Sequence, residues 1–184
     1  LIGGVPMTLL RITSHTEIAV IEMGSNSIGE IEAICDIAMP THGIITHIKS
    51  VHLEGFKNLD GVIVEKTALY RNISNSGGKV FVNYEESILE KEAKKYFKSF
   101  VSYQEKGYDL YCEIVDENPF IVYKTSTNQI VQTHLLGEYH INNISAALCI
   151  GKEFNIEEDK INQAISSYVP SNNRSQIIKK GSNT

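Results

Sequence analysis

The stretch Ile18-Ala19-Val20-Ile21-Glu22-Met23-Gly24-Ser25-Asn26-Ser27-Ile28-Gly29-Glu30-Ile31 decides how this chain is read. Four consecutive apolar residues, Ile18 to Ile21, predict a strand covered on both faces. The run stops at Glu22-Met23-Gly24. Ser27-Ile28-Gly29-Glu30 then has the S-x-x-E form of a capping box, which predicts a helix with the apolar stripe Ile28, Ile31, Ile34, Cys35 and Ala38. Pro40 closes that unit.

The alternation continues outward from there. His42–Thr46 reads as a second buried strand, and a helix is expected from Leu59 to Ile73, stopped by the Asn72–Gly78 turn. Lys79–Asn83 is a third strand. It is followed by an amphipathic helix over Glu85–Lys98 that packs Leu89, Ala93, Tyr96 and Phe97. This order predicts an α/β fold, a mostly parallel sheet flanked by helices. Beyond Phe100 the runs Phe100–Tyr103, Leu110–Val115, Phe120–Tyr123 and Ile130–Thr133 alternate and are joined by short polar turns. They predict a small antiparallel sheet on the same domain. Helices over His140–Phe154 and Ile156–Tyr168 follow, with a last strand at Gln176–Lys180, so that residues 1–184 form one domain.

Composition narrows the class. The 184 residues are 42% hydrophobic and 21% charged, enough apolar material for a real core. Seventeen basic against 22 acidic residues leave a net charge of -5, a poor electrostatic match for nucleic acid. No apolar run reaches the roughly 18 residues of a membrane span, and no secretory signal opens the chain. Cys35, Cys112 and Cys149 form no C-x-x-C pair. Cys35 and Cys149 fall in helix-like apolar stripes, which predicts buried thiols in a reducing, cytoplasmic compartment.

Three residues stand out chemically. Glu22 directly follows a predicted buried strand, and in open α/β sheets ligands bind at the carboxyl ends of strands. It is either a ligand to a metal or phosphate, or a solvated strand end. Lys66 falls on the apolar stripe Leu59, Val62, Ile63, Leu69, Tyr70, Ile73. Desolvation favours the neutral, nucleophilic form of an amine, which can take up carbon dioxide as a carbamate able to bind magnesium. The alternative is a lysine whose stem covers apolar surface while its head reaches water. His52 lies in a loop, where a histidine is more often a surface group than a ligand. The other histidines lack zinc spacing, and neither a nucleophile elbow nor a phosphate-cradling G-x-x-x-x-G-K-[ST] is present.

Together these residues resemble a family. Glu22-Met23-Gly24-Ser25-Asn26-Ser27-Ile28-Gly29-Glu30-Ile31 is similar to the E-M-G-x-N-x-x-G-E-I motif of Mur ligases, specifically those adding D-alanyl-D-alanine to UDP-N-acetylmuramoyl-tripeptide. His52-Leu53-Glu54-Gly55-Phe56 resembles their H-L-E-G-F, and Gly61-Val62 with Lys66 and Leu69-Tyr70 resembles their lysine-bearing helix. Leu136-Gly137-Glu138 with Asn143 and Ala146-Ala147 resembles L-x-G-x-H-N-x-x-N-x-x-A-A. Asn173-Arg174-Ser175 is similar to G-R-[SLM], and Gly4-Val5-Pro6-Met7-Thr8-Leu9-Leu10 to I-G-V-P-L-T-L-L. The resemblance runs over nearly the whole chain, in order.

It implies the central ATP-binding domain of such a ligase, with the P-loop upstream of Leu1 and the N-terminal UDP-sugar-binding and C-terminal domains outside this chain. The 184 residues alone are then expected to be inactive. By resemblance, Glu22 would hold the magnesium bridging the ATP phosphates. His52 and a carbamylated Lys66 would hold a second Mg2+ and serve catalysis. Asn143 would face adenine, and Arg174 the phosphate end of the nucleotide. The implied partners are UDP-N-acetylmuramoyl-tripeptide and D-alanyl-D-alanine, handled by a cytoplasmic monomer without nucleic acid or membrane span. Tyr139-His140 stands where His-Asn is usual, His47 and Lys49 where Asn and Gly are common, and Ala68 where glutamate is frequent. Another Mur or folylpolyglutamate-type ligase would carry other residues at the first two motifs. A non-catalytic nucleotide-binding or scaffold domain draws its support from those substitutions.

Overall fold

The computed structural model describes residues 4–49 and 53–170, and His52, Arg174 and the expected Gln176–Lys180 strand lie outside them. The chain divides into two compact units, Leu1–Val101 and Ser102–Thr184.

In the first unit a short helix α1 (Gly4–Leu9) precedes α2 (Glu30–Ala38), then strand β1 (His42–Ile44), α3 (Leu53–Phe56), α4 (Leu59–Asn75), β2 (Lys79–Asn83) and α5 (Ser87–Ala93). β1 and β2 are parallel, with His42, Gly43 and Ile44 opposite Lys79, Val80 and Phe81. β3 (Val101–Tyr103) completes this three-stranded sheet in the order β1-β2-β3, and its first residue closes the unit. The crossover helix α4 begins where Asn58 caps it, its side chain accepting the Gly61 N–H at 2.9 Å. Val62, Tyr70 and Ile73 of α4 are buried with Val80 and Val82 of β2 and Leu89 of α5. Removing each such aliphatic side chain from water contributes about 1.5–3 kcal/mol.

In the second unit β4 (Cys112–Asp116), β5 (Val122–Thr125) and β6 (Ile130–Gln132) form an antiparallel sheet in that order. Helices α6 (His140–Glu153) and α7 (Glu158–Ser167) follow, and Ile144, Leu148 and Ile161 join Cys112, Tyr123 and Val131 in one core. The α/β class, the parallel pairing and the separate antiparallel sheet are as expected, and all three thiols are buried.

Four local expectations need correction. Ile18–Ile21 is not a strand: Val20 is 87% exposed and Ile18 is exposed as well. A buried strand needs ladder partners, and none of the described strands pairs with this run. The helix opens at Glu30 with Gly29 in the left-handed region, and Ser27 does not cap it, so Ile28 stays exposed. The helix expected to reach Lys98 ends at Ala93, although Tyr96 and Phe97 still pack on the core. The run near Tyr103 belongs to the first sheet, not to the antiparallel one.

Candidate active site

The motif residues of the first unit gather where the turn preceding α2 meets α3 and α4. Glu30 reaches back from the first position of α2, accepting the Asn26 N–H at 2.9 Å and the Ser27 hydroxyl at 2.9 Å. Those hydrogen bonds hold its exposed carboxyl below the usual carboxylate range. The α2 amides are capped from elsewhere. Glu65 of α4 accepts the Gly29 N–H on Oε2 at 2.6 Å and the Ile31 N–H on Oε1 at 2.7 Å. A carboxylate at the positive end of a helix is favourable, and here both oxygens are used. Glu65 is only 1% exposed.

Two glycines permit the close packing around this turn. A Cβ on Gly55 would run into the carbonyl of Asn26, and one on Gly61 into the carbonyl of Phe56. Gly55 therefore lets α3 lie directly on the turn that carries Asn26, while Phe56 is buried in the core. Met23, beside Glu22, packs on the cluster of Ile31, Cys35 and Ala68. Three motifs far apart in sequence thus touch at residues 23–31.

Glu22 is exposed and takes no hydrogen bond or ion pair among the described residues. Lys66 is half-buried and has no salt bridge among the described residues. The imidazole of His47 is held below its ordinary range by burial first, then by the nearby Lys49 and Lys66 charges, with Glu86 opposing. Asn83, at the carboxyl end of β2, is fully buried. Its Oδ1 accepts the Glu85 N–H at 3.0 Å, whereas its Nδ2 has no partner among the described residues. Among the described residues no three His, Cys, Asp or Glu side chains could hold a metal together. The donor chemistry still fits Mg2+, which typically takes one or two carboxylates and completes its shell with phosphate and water oxygens. An exposed Glu22 with no partner among the described residues suits that role.

In the second unit Asn143 is exposed on the first turns of α6, its Nδ2 lying 3.4 Å from Nδ1 of His140. The Tyr139 and His140 rings lie 4.3 Å apart at 36°. Burial lowers the His140 pKa, and its Nε2, like Oδ1 of Asn142, lacks a partner among the described residues.

A cleft of about 600 Å³ opens at the other end of the parallel strands, against His42 and Lys79, with Cys35 and Asn75 among its lining. It contains none of the expected site residues. Burial there, with Asp36, Glu32 and Glu65 adding, pushes the Cys35 thiol up to about 11. Sequence reasoning missed Glu65 and Asn83. A signal for the first existed: Glu65 interrupts the buried positions Val62 and Ala68 at helical spacing.

A family model described as the Mur ligase middle domain matches residues 3–151. The UDP-N-acetylmuramoyl-tripeptide--D-alanyl-D-alanine ligase of Haemophilus influenzae is 30% identical over 151 residues, covering 80% of this chain and 33% of the relative. That of Bacillus subtilis is 25% identical over 177 residues, covering 96% and 38%. The chain therefore spans between a third and two-fifths of the length of these two relatives. A crystal structure of MurF from Acinetobacter baumannii superposes with a TM-score of 0.81 at 25% identity, over 97% of this chain and 40% of that one. MurF from Thermotoga maritima in complex with ADP gives 0.77 at 20% identity, over 96% and 42%, a likeness of fold.

Proposed function

Because the chain belongs to the Mur ligase middle-domain family, we propose that it is the ATP-binding part of an amide ligase. The whole protein joins D-alanyl-D-alanine to UDP-N-acetylmuramoyl-tripeptide in peptidoglycan precursor synthesis. The observation that carries this reading is the meeting of the three motifs. Asn26 abuts Gly55, and the Gly29 and Ile31 amides rest on Glu65, next to Lys66. The names of the matched relatives supply the substrate pair.

The reaction has two displacements. A tripeptide carboxylate oxygen attacks the γ-phosphorus of ATP, the bond to the ADP oxygen breaks, and an acyl phosphate forms. The amine of D-alanyl-D-alanine then attacks the acyl carbon, phosphate leaves, and the nitrogen gives up a proton. Like charges meet in the first step, so catalysis is largely positioning and charge neutralisation. Magnesium supplies that neutralisation when bound. Glu22 would hold one ion by its carboxylate. Lys66, were its amine to add to carbon dioxide through a new C–N bond with loss of a proton, would as a carbamate hold a second ion with His52. Asn143 would orient adenine, and Arg174 would serve the phosphate end. The protein works as a monomer in the cytoplasm, and no helix among the described residues is long and apolar enough to cross a membrane.

The direct test is phosphate release by the intact protein given ATP, the UDP-tripeptide and D-alanyl-D-alanine. Release should require all three. Release that ignores the dipeptide, or none at all, would retire the assignment.

A further inference from the structure

We infer that Glu65 is a positioning residue that makes α4 the ruler between Glu22 and Lys66. The inference rests on the ligase reading for what those two groups do, and on the geometry of α4 for how they are held apart.

The segment carrying Glu22 has little of its own to fix it. Ile18–Ile21 joins no ladder, and residues 17–22 are exposed apart from a half-buried Ile21. Among the described residues its anchors all lie on the carboxyl side. They are Met23 packed on Ile31, Cys35 and Ala68, the Glu30 bonds to Asn26 and Ser27, and the Glu65 bonds to Gly29 and Ile31. The Glu30 bonds are local and tie the turn to α2. Glu65 ties the turn, across 34–36 residues of sequence, to the helix that bears Lys66.

Glu65 and Ala68 lie three apart on α4, so they share a face directed at α2, while Lys66 turns about 100° away. One face of a single rigid helix therefore sets the motif turn, and the neighbouring residue presents the amine. Geometry explains why a carboxylate is required. Both Glu65 oxygens accept an N–H, and burial removes water as a substitute partner. Glutamine would turn an NH2 donor toward one of the two amides, and aspartate is one methylene too short to reach both.

The test uses the intact protein, wild type and E65Q, with two readouts. The first is binding of a non-hydrolysable ATP analogue titrated with Mg2+, which needs no assignment of the ligase substrates. E65Q should raise the Mg2+ concentration at half-saturation at least about fivefold. The second is phosphate release with the proposed substrate pair. kcat per folded molecule should fall by about tenfold or more, a loss worth about 1.4 kcal/mol, with the KM for the UDP-tripeptide changed less than twofold. A merely structural residue would lower the yield or the melting temperature and leave the Mg2+ midpoint unmoved, and that result overturns the proposal. E65D is the second variant: if neither E65Q nor E65D folds, Glu65 determines the fold and the proposal also falls. A shifted Mg2+ midpoint without phosphate release retires the substrate assignment and leaves Glu65 standing. Wild-type protein that binds no Mg2+–nucleotide would sink both.

Discussion

Gln104 and Asn83 are both buried amides, yet their surroundings differ. Under the antiparallel sheet, Gln104 Nε2 donates to the Cys112 carbonyl at 2.9 Å, and its Oε1 accepts the Cys112 N–H at 3.3 Å together with the Ser145 hydroxyl. Nearby, the Tyr123 hydroxyl donates to Asn162, which in turn donates to Gln129. At the carboxyl end of β2, Asn83 leaves its Nδ2 without a partner, as His140 does its Nε2 at the start of α6. A satisfied buried network holds a fold in one arrangement, whereas an unsatisfied buried group needs another explanation. Here the unsatisfied groups lie at the carboxyl end of β2 and at the start of α6, whereas the Gln104 network is closed.

The sharpest way to break this contrast is at Lys66. Lys66→Ala in the intact protein should cut ligation by roughly 10²–10³-fold or more, the scale of losing one charge-stabilising group. A short-chain carboxylate added to the assay should restore part of the rate. Full activity in the variant would remove Lys66 from the mechanism. Gln104→Ala should behave in the opposite sense. It removes the Gln104 bonds to the Cys112 N–H and carbonyl and should cost about 2–4 kcal/mol in denaturant unfolding, with kcat per folded molecule unchanged. A Gln104 variant with normal stability and poor catalysis would erase the distinction between the two regions.

The same contrast explains what was legible in the sequence. β2 matches its expected bounds because a short apolar run buried on both sides carries its own signal. Lys66 was visible because it interrupts a stripe. Ile18–Ile21 has the same local signature as β2 and is no strand, because a ladder depends on a neighbour that the run itself does not encode. The expected run Phe100–Tyr103 lies in the first sheet, as Val101–Tyr103, for that reason too. Glu65 was missed since its role exists only through two amides more than 30 residues upstream. The wrong helix cap followed from that oversight, because the tertiary carboxylate takes the place that Ser27 was expected to fill.

Gly55→Ala probes the contact between the motifs. The added methyl meets the Asn26 carbonyl, which is backbone and cannot swing aside as a side chain would. Overpacking of this kind costs about 1–3 kcal/mol. Since the strain falls on the turn itself, the rate of phosphate release should drop beyond what the melting temperature alone explains. A Gly55→Ala protein with unchanged rate would mean that the turn tolerates displacement.

The smallest effect concerns His140. Burial holds its imidazole below the ordinary 6.5, so the folded state disfavours the proton that the unfolded chain accepts. The stability it contributes is fully present above pH 6.5 and is lost as the pH falls from there through the folded-state value. His140→Asn should flatten that part of the stability-versus-pH curve, measured by urea unfolding at several pH values. Nucleotide binding should oppose the histidine's protonation further if a ligand occupies the space next to Nε2 and removes more water. An NMR titration of His140 with and without ADP reads this directly. An unmoved or raised pKa on binding would show that the start of α6 gains no desolvation from the nucleotide, and would place adenine away from this residue.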